Sequence, residues 1–183
     1  METLVLNGSP RANGDTVSLV KALGDLLPGK LTVINAFSHE IAPCTDCRYC
    51  WKHPGCAKQD GWVEVDRALR TCDGVVLASP IYFSELTGPL LSVLSRLQQY
   101  YCARVFRGEE SPFPRRKGGL LLVGGGDGRP QRARETAETL LHQMGCQDIF
   151  PAIVCHNTNR FPALSEPGVR EQLQALADFL QGE

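Results

Sequence analysis

Cys44, Cys47, Cys50 and Cys56 stand in a C-x2-C-x2-C-x5-C pattern inside the irregular stretch from Ser38 to Gly61. The first three recur at every third residue, so one coiled turn can aim three thiolates at a single point. A fourth from the same loop closes a four-thiolate set suited to a 4Fe-4S cluster, for which compact C-x2-C-x2-C spacing is characteristic. Zinc accepts four thiolates as well, though usually from two C-x2-C knuckles set well apart, and free or redox-active thiols are the third reading of the same residues. Arg48, Lys52, His53 and Lys58 lie among the cysteines. Cations there offset thiolate charge or lower thiol pKa values, or simply form a solvated loop face.

A second group with chemical potential lies near the start, where the apolar run Thr3 to Asn7 passes into NGSPRANGDT and then a helical pattern. Ser9, Asn13 and Thr16 offer hydroxyl and amide groups and Arg11 a cation, beside Gly14 and Asp15, at a turn where backbone N–H groups converge. A helix N-terminus entered this way binds anions, and a phosphate monoester matches it in charge and hydrogen-bond number. The plain alternative is a capped turn with Asp15 or Thr16 as the cap. Two look-alikes fail. GDLLPGKL, Gly24 to Leu31, ends in leucine where a nucleotide-triphosphate loop needs Ser or Thr, and it runs from helix to strand. After Gly124, Gly125, Gly126 and Gly128, Arg129 and Gln131 occupy the positions where a dinucleotide fingerprint needs its third glycine.

These residues need a frame. The 183-residue chain is 43% hydrophobic and 21% charged, the profile of a folded globular protein, and its length suits one domain, residues 1–183, with a cysteine-rich loop at about 38–61. A net charge of −1 provides no basic field for nucleic acid. No apolar stretch approaches the roughly 18–20 residues of a membrane span, and METLVLNGSPR lacks the basic and apolar regions of a signal peptide, so the expectation is a cytoplasmic protein with reduced thiols.

Short apolar runs bounded by turns recur at Leu31 to Ala36, Gly74 to Ser79, Gly119 to Val123 and Ile149 to Cys155, which with the first makes five expected strands. Helical periodicity separates them: Val17, Val20, Leu23 and Leu27; Leu86, Leu90, Leu94 and Leu97; Ala133, Ala137, Leu140 and Met144; and a last helix from Pro167 through Val169, Leu173, Leu176 and Leu180. A short helix from Trp62 to Thr71 is expected after the cysteine loop. Gly29 and Gly145 sit where helix C-caps belong. The alternation argues for an α/β fold, a parallel sheet with helices on both faces. In such sheets ligands bind beyond the carboxyl ends of the strands, which here are Asn7 to Thr16, the cysteine loop, Ser79 to Glu85, Gly124 to Gln131 and Cys155 to Phe161.

Over about residues 1 to 145 the chain resembles the flavodoxin-like NAD(P)H-dependent FMN reductases, and within them the iron-sulfur flavoproteins. NGSPR with Gly14 and Thr16 looks like that family's phosphate loop, APCTDCRYCWKHPGC followed by Asp60 like its cysteine loop, and SPIYF with Gly88, Pro89, Leu90 and Arg96 like its flavin-side loop and helix. GGGDG with Gln131 is similar to its third flavin-contacting loop.

The resemblance implies a flavodoxin-like three-layer α/β/α sandwich with a five-stranded parallel sheet. It implies FMN with its phosphate on Ser9, Arg11, Asn13 and Thr16 in the loop that includes Gly14 and Asp15. The flavin ring would lie between Pro80, Ile81, Tyr82 and Phe83 on one side and Gly125, Gly126, Asp127 and Gly128 on the other. NAD(P)H would be the co-substrate, the acceptor a small molecule such as a flavin or quinone, and no side chain an obligatory acid or base. The rival it carries is an electron carrier with FMN and a 4Fe-4S cluster on Cys44, Cys47, Cys50 and Cys56, supplied by a ferredoxin-like donor. A homodimer or homotetramer is implied as well. Asp15 departs from the family's usual Asn, and Asp60-Gly61-Trp62 from its usual acidic pair. Cys72, Cys102, Cys146 and Cys155 share no spacing and receive no function.

Overall fold

The computed structural model describes residues 1–182. The strands are β1 (Glu2–Asn7), β2 (Lys30–Asn35), β3 (Gly74–Pro80), β4 (Arg116–Val123), β5 (Cys146–Ile149) and β6 (Ile153–Cys155). The helices are α1 (Asp15–Leu26), α2 (Trp62–Thr71), α3 (Gly88–Leu94), α4 (Gln98–Arg107), α5 (Gln131–Gln143) and α6 (Val169–Gln181). Every pairing in the sheet is parallel, in the order β2-β1-β3-β4-β5, with β6 also on β4.

Period-two alternation along the central strands makes the two helical layers. Leu4 and Leu6 of β1, Val75 and Leu77 of β3 and Leu120 and Leu122 of β4 face α2, α3 and α5 through Leu69, Leu90, Ala137 and Leu141. The intervening Val5, Val76 and Leu121 face α1 and α6 through Leu19, Leu23, Leu173 and Leu176. Both faces being covered explains why these strands are uninterrupted apolar runs. This is the flavodoxin-like three-layer sandwich.

Four expectations need correction. The fifth strand is two pieces, β5 and β6, because Phe150-Pro151-Ala152 intervenes and Pro151 has no N–H to give a ladder. The stretch from Leu86 to Leu97 is α3 plus a 3₁₀ turn at Ser95–Leu97, and it is followed by an unanticipated helix, α4. The last helix starts at Val169, its N-cap Gly168 in the left-handed region at φ 81°, so Pro167 lies outside it. The C-caps are Leu27 for α1 and Met144 for α5; Gly145, at φ 87°, directly follows its cap in the left-handed region, whereas Gly29, at φ 101°, lies two residues beyond Leu27.

The register sets the carboxyl ends abreast: Asn7 opposite Asn35 and Ala78, Pro80 opposite Val123, and Val123 opposite Cys155. Strand order reverses between β1 and β3, and the loops leaving those strands meet there.

Candidate functional site

The loop leaving β1 is held from three sides. The Asn7 side-chain oxygen accepts the Ser9 N–H at 2.9 Å, and the Asn35 amide donates to the Ser9 carbonyl at 2.9 Å. The Thr87 hydroxyl donates to the Gly8 carbonyl at 2.9 Å. A Cβ at Gly8 would lie 2.5 Å from that hydroxyl, so only glycine lets the β1 loop and the start of α3 approach this closely. The Ser9 hydroxyl closes its own turn, donating to the Arg11 carbonyl and accepting the Arg11 N–H.

Gly14, not Asp15 or Thr16, is the N-cap of α1, and it provides no capping side chain. Asp15 is the first helical residue, and its carboxylate accepts the Ala163 N–H at 2.8 Å. That bond ties α1 to the loop after β6 and occupies one oxygen of a charge which the helix N-terminus favours but a phosphate would oppose.

These residues line a cleft of about 110 Å³ with Pro80, Ile81 and Tyr82 from the end of β3, Val123 and Gly125 from β4, and Thr158 and Asn159 beyond β6. That is roughly four waters' share of liquid volume, the scale of a phosphate group. The glycine loop rests on the β6 loop through Asn157 N to Gly126 O at 2.9 Å, Thr158 N to Gly124 O at 3.1 Å and Asn159 N to Gly125 O at 3.1 Å. A Cβ at Gly125 would lie 2.8 Å from the Asn159 amide.

Of the fourteen residues named for the flavin, Ser9, Arg11, Gly14, Asp15, Thr16, Pro80, Ile81, Tyr82 and Gly125 line this cleft. Asn13, Phe83, Gly126, Asp127 and Gly128 are exposed and do not line it. Phe83 is fully exposed and, with Ser84, holds positive φ of 53° and 64° in the tight turn that Tyr82 and Glu85 close. Thr158 and Asn159 were not anticipated. Only their place after the last strand pointed to them.

The cysteine loop forms a separate and larger cavity of about 350 Å³, lined by Cys44, Cys47, Cys50 and Cys56 and also by Cys102 of α4. Size alone would favour this cavity, or one of about 490 Å³ lined by His156, Asn157, Arg160 and Phe161, over the cleft at the β1 loop. Convergent backbone donors at a helix N-terminus and the strand-order reversal favour the smaller cleft. Arg96, 1% exposed, closes the loop's neck: it donates to the Ala42 carbonyl at 2.9 Å, the Lys58 carbonyl at 3.2 Å and the Asp60 carboxylate at 2.8 Å. Burial alone would raise the Asp60 pKa, but bonds from Arg96, Trp62 N–H and Ala42 N–H outweigh it and hold the carboxyl below its usual range.

All eight cysteines are free thiols. Burial, then hydrogen bonding to Cys102, pushes the Cys50 thiol up to about 11. The donor chemistry suits an iron-sulfur cluster. Among the described residues, no three His, Cys, Asp or Glu side chains are arranged to hold a metal ion.

The profile of the family described as NADPH-dependent FMN reductase matches residues 1–159. The chain belongs to that family. Among curated relatives it is 26% identical over 156 residues to an iron-sulfur flavoprotein of Archaeoglobus fulgidus, covering 84% of this chain and 68% of the relative. It is 38% identical over 92 residues to one of Clostridioides difficile, covering 46% and 40%. Three other iron-sulfur flavoproteins are matched over 60%, 51% and 62% of their length. Among solved structures, an NADH:FMN oxidoreductase in its apo form superposes with a TM-score of 0.68 at 19% identity, covering 98% of this chain and 88% of that one. An NAD(P)H:quinone oxidoreductase from Methanothermobacter marburgensis also reaches 0.68, at 16% identity, covering 97% and 93%. Both likenesses are of fold. Within the family, this chain's cleft is built by the loops after β1, β3, β4 and β6.

Proposed function

We propose that the chain binds FMN in this cleft and uses NAD(P)H to reduce a small acceptor such as a flavin or quinone. The observation that carries the reading is the convergence, at the reversal of strand order, of the Ser9 to Thr16 anion loop, the Pro80 to Tyr82 segment and the Gly125 segment around one cleft. The FMN held there would supply the hydride and electron-transfer chemistry that the protein's side chains lack.

The chain's own residues bind and orient. Backbone N–H groups around Gly14 and the Arg11 cation would hold the phosphate, with Ser9 and Thr16 alongside. Asp15 stays turned toward Ala163. Gly125 leaves its backbone free of a side chain, so a flat ring can approach it closely. No acid or base is required of the protein, and Tyr82, half exposed, leaves the cleft open to a nicotinamide and then an acceptor. Phe83, Gly126, Asp127 and Gly128 are exposed next in the chain to the lining residues Tyr82 and Gly125. Because Phe83 is wholly exposed beside Tyr82, a homo-oligomer in which a second copy covers it belongs to the same proposal.

The second reading is an electron carrier in which Cys44, Cys47, Cys50 and Cys56 hold a 4Fe-4S cluster fed by a ferredoxin-like donor. It is favoured by the thiols sharing one cavity and by the names of the curated relatives. Anaerobic purification with an absorption spectrum and assays of iron and acid-labile sulfide separates the two. Flavin bands without iron support the reductase, flavin with about four irons per chain supports the carrier, and failure to take up added FMN contradicts both.

A further inference from the structure

Cys102 lies 46 residues beyond Cys56 in the chain, yet it opens into the same cavity as the four loop thiols. It is 6% exposed on α4, and it shares the lining of that cavity with Cys50. Two tethers fix this pairing. The Trp51 ring stacks on Phe106 of α4, centroids 4.0 Å apart and planes 14° from parallel. Arg107, at the end of α4, donates to the Cys50 carbonyl and is held in turn by Glu109 at 2.7 and 2.8 Å. The 3₁₀ turn Tyr49–Trp51 that carries Cys50 is therefore pinned along α4 at the Cys50 carbonyl and at the next residue, Trp51.

We infer that Cys50 and Cys102 form a reversible dithiol–disulfide pair that locks the cysteine loop onto α4. The oxidant is a small-molecule disulfide such as glutathione disulfide. Cys50, the more accessible of the two, loses its proton to solvent and attacks one sulfur, releasing one glutathione thiolate, which takes up a proton. Cys102 then attacks the mixed disulfide at the Cys50 sulfur, forming the S–S bond and releasing the second glutathione. Two protein thiols are oxidised and one glutathione disulfide is reduced to two thiols.

The consequence is exclusive use of Cys50. As a member of the pair it is lost to any four-thiolate set with Cys44, Cys47 and Cys56, and as a metal ligand it is lost to Cys102. The pairing rests on the packing of the loop against α4 and is independent of flavin binding.

The test equilibrates the full chain, freed by chelator of any iron that co-purifies, in glutathione buffers of graded oxidised-to-reduced ratio. Acid quenching, digestion and mass spectrometry then identify the linked peptides. The expected product is one internal Cys50–Cys102 linkage that disappears on adding dithiothreitol. Cys102→Ser and Cys102→Ala, each checked for native circular dichroism, lose the linkage and leave Cys50 as the mixed glutathione disulfide. A linkage of Cys50 to another loop cysteine in the parent chain, or no linkage in the most oxidising buffer, overturns the inference.

Discussion

At the scale of single residues, Gly125 and Asp15 give the cleft its character. A methyl at Gly125 must displace the Asn159 amide 2.8 Å away while leaving the sheet untouched. Gly125→Ala should weaken FMN binding about tenfold, equivalent to ~1.4 kcal/mol, with little change in the thermal midpoint; fluorescence titration and thermal melting measure the two separately. Asp15 behaves oppositely. In Asp15→Asn the amide oxygen can still accept the Ala163 N–H, but the negative charge beside the phosphate is gone. The substitution should therefore tighten FMN about threefold at low salt, an effect of ~0.6 kcal/mol typical of a partly exposed charge, and the gain should fade as salt is added. The place of Ser9, Arg11 and Thr16 in the cleft lining was readable in the sequence because they follow the carboxyl end of a buried strand, where ligands of such sheets bind, although an ordinary capped turn was an equal reading of the same residues. Thr158 and Asn159 were not, because nothing about such a pair in a surface loop marks it; only their backbone bonds to Gly124 and Gly125 bring them in. Cys102 was missed for a related reason, its nearness to the loop cysteines being a matter of tertiary packing.

At the scale of elements, the neck of the cysteine loop is the joint on which its shape depends. Asp60 accepts both the Ala42 and Trp62 N–H groups at 3.1 Å while pairing with Arg96, so one ion pair gathers the loop's entry, its exit and the start of α2. Arg96→Ala leaves Asp60, 19% exposed, without its counter-charge. The cost should be about 3 kcal/mol, a fall of about 6–12 °C in thermal midpoint for a domain of this size. The same pair predicts an acid sensitivity. The Asp60 carboxyl is depressed in the folded state, so its stabilisation is complete above the ordinary carboxylate pKa and is lost as pH falls through the lower folded value. Denaturation profiles of the parent should therefore weaken below about pH 4, and Arg96→Ala should flatten that part of the curve. The neck was only half legible: Asp60 and Arg96 stood out as family positions, without any sign that they touch. The helix α4 was illegible because QQYYCARVFR has no continuous apolar stripe; much of what anchors it is the cysteine loop itself, through Trp51 on Phe106 and Arg107 on Cys50. Pro151 hid the division of the last strand, since the apolar run Ile149 to Cys155 continues through it in composition but not in hydrogen bonding.

At the scale of the whole molecule, the alternation of apolar runs with helical stripes was enough to indicate a parallel sheet covered on both faces, because burial on both faces removes the polar alternation that other sheets show. The strand order and the abreast carboxyl ends then locate one cleft at the reversal between β1 and β3 and a second, thiol-lined cavity under the cysteine loop. Electron transfer through FMN is proposed for the first, and a separate thiol chemistry for the second. The most direct test is to titrate the flavin-free chain with FMN, then add NADPH or NADH without oxygen while recording the flavin absorption. Saturation at one FMN per chain is expected, with bleaching of the flavin bands by at least one of the two nucleotides and recovery when a quinone is added. A folded chain that leaves FMN unbound, or binds it and keeps its absorption unchanged with both nucleotides, would contradict the proposed function.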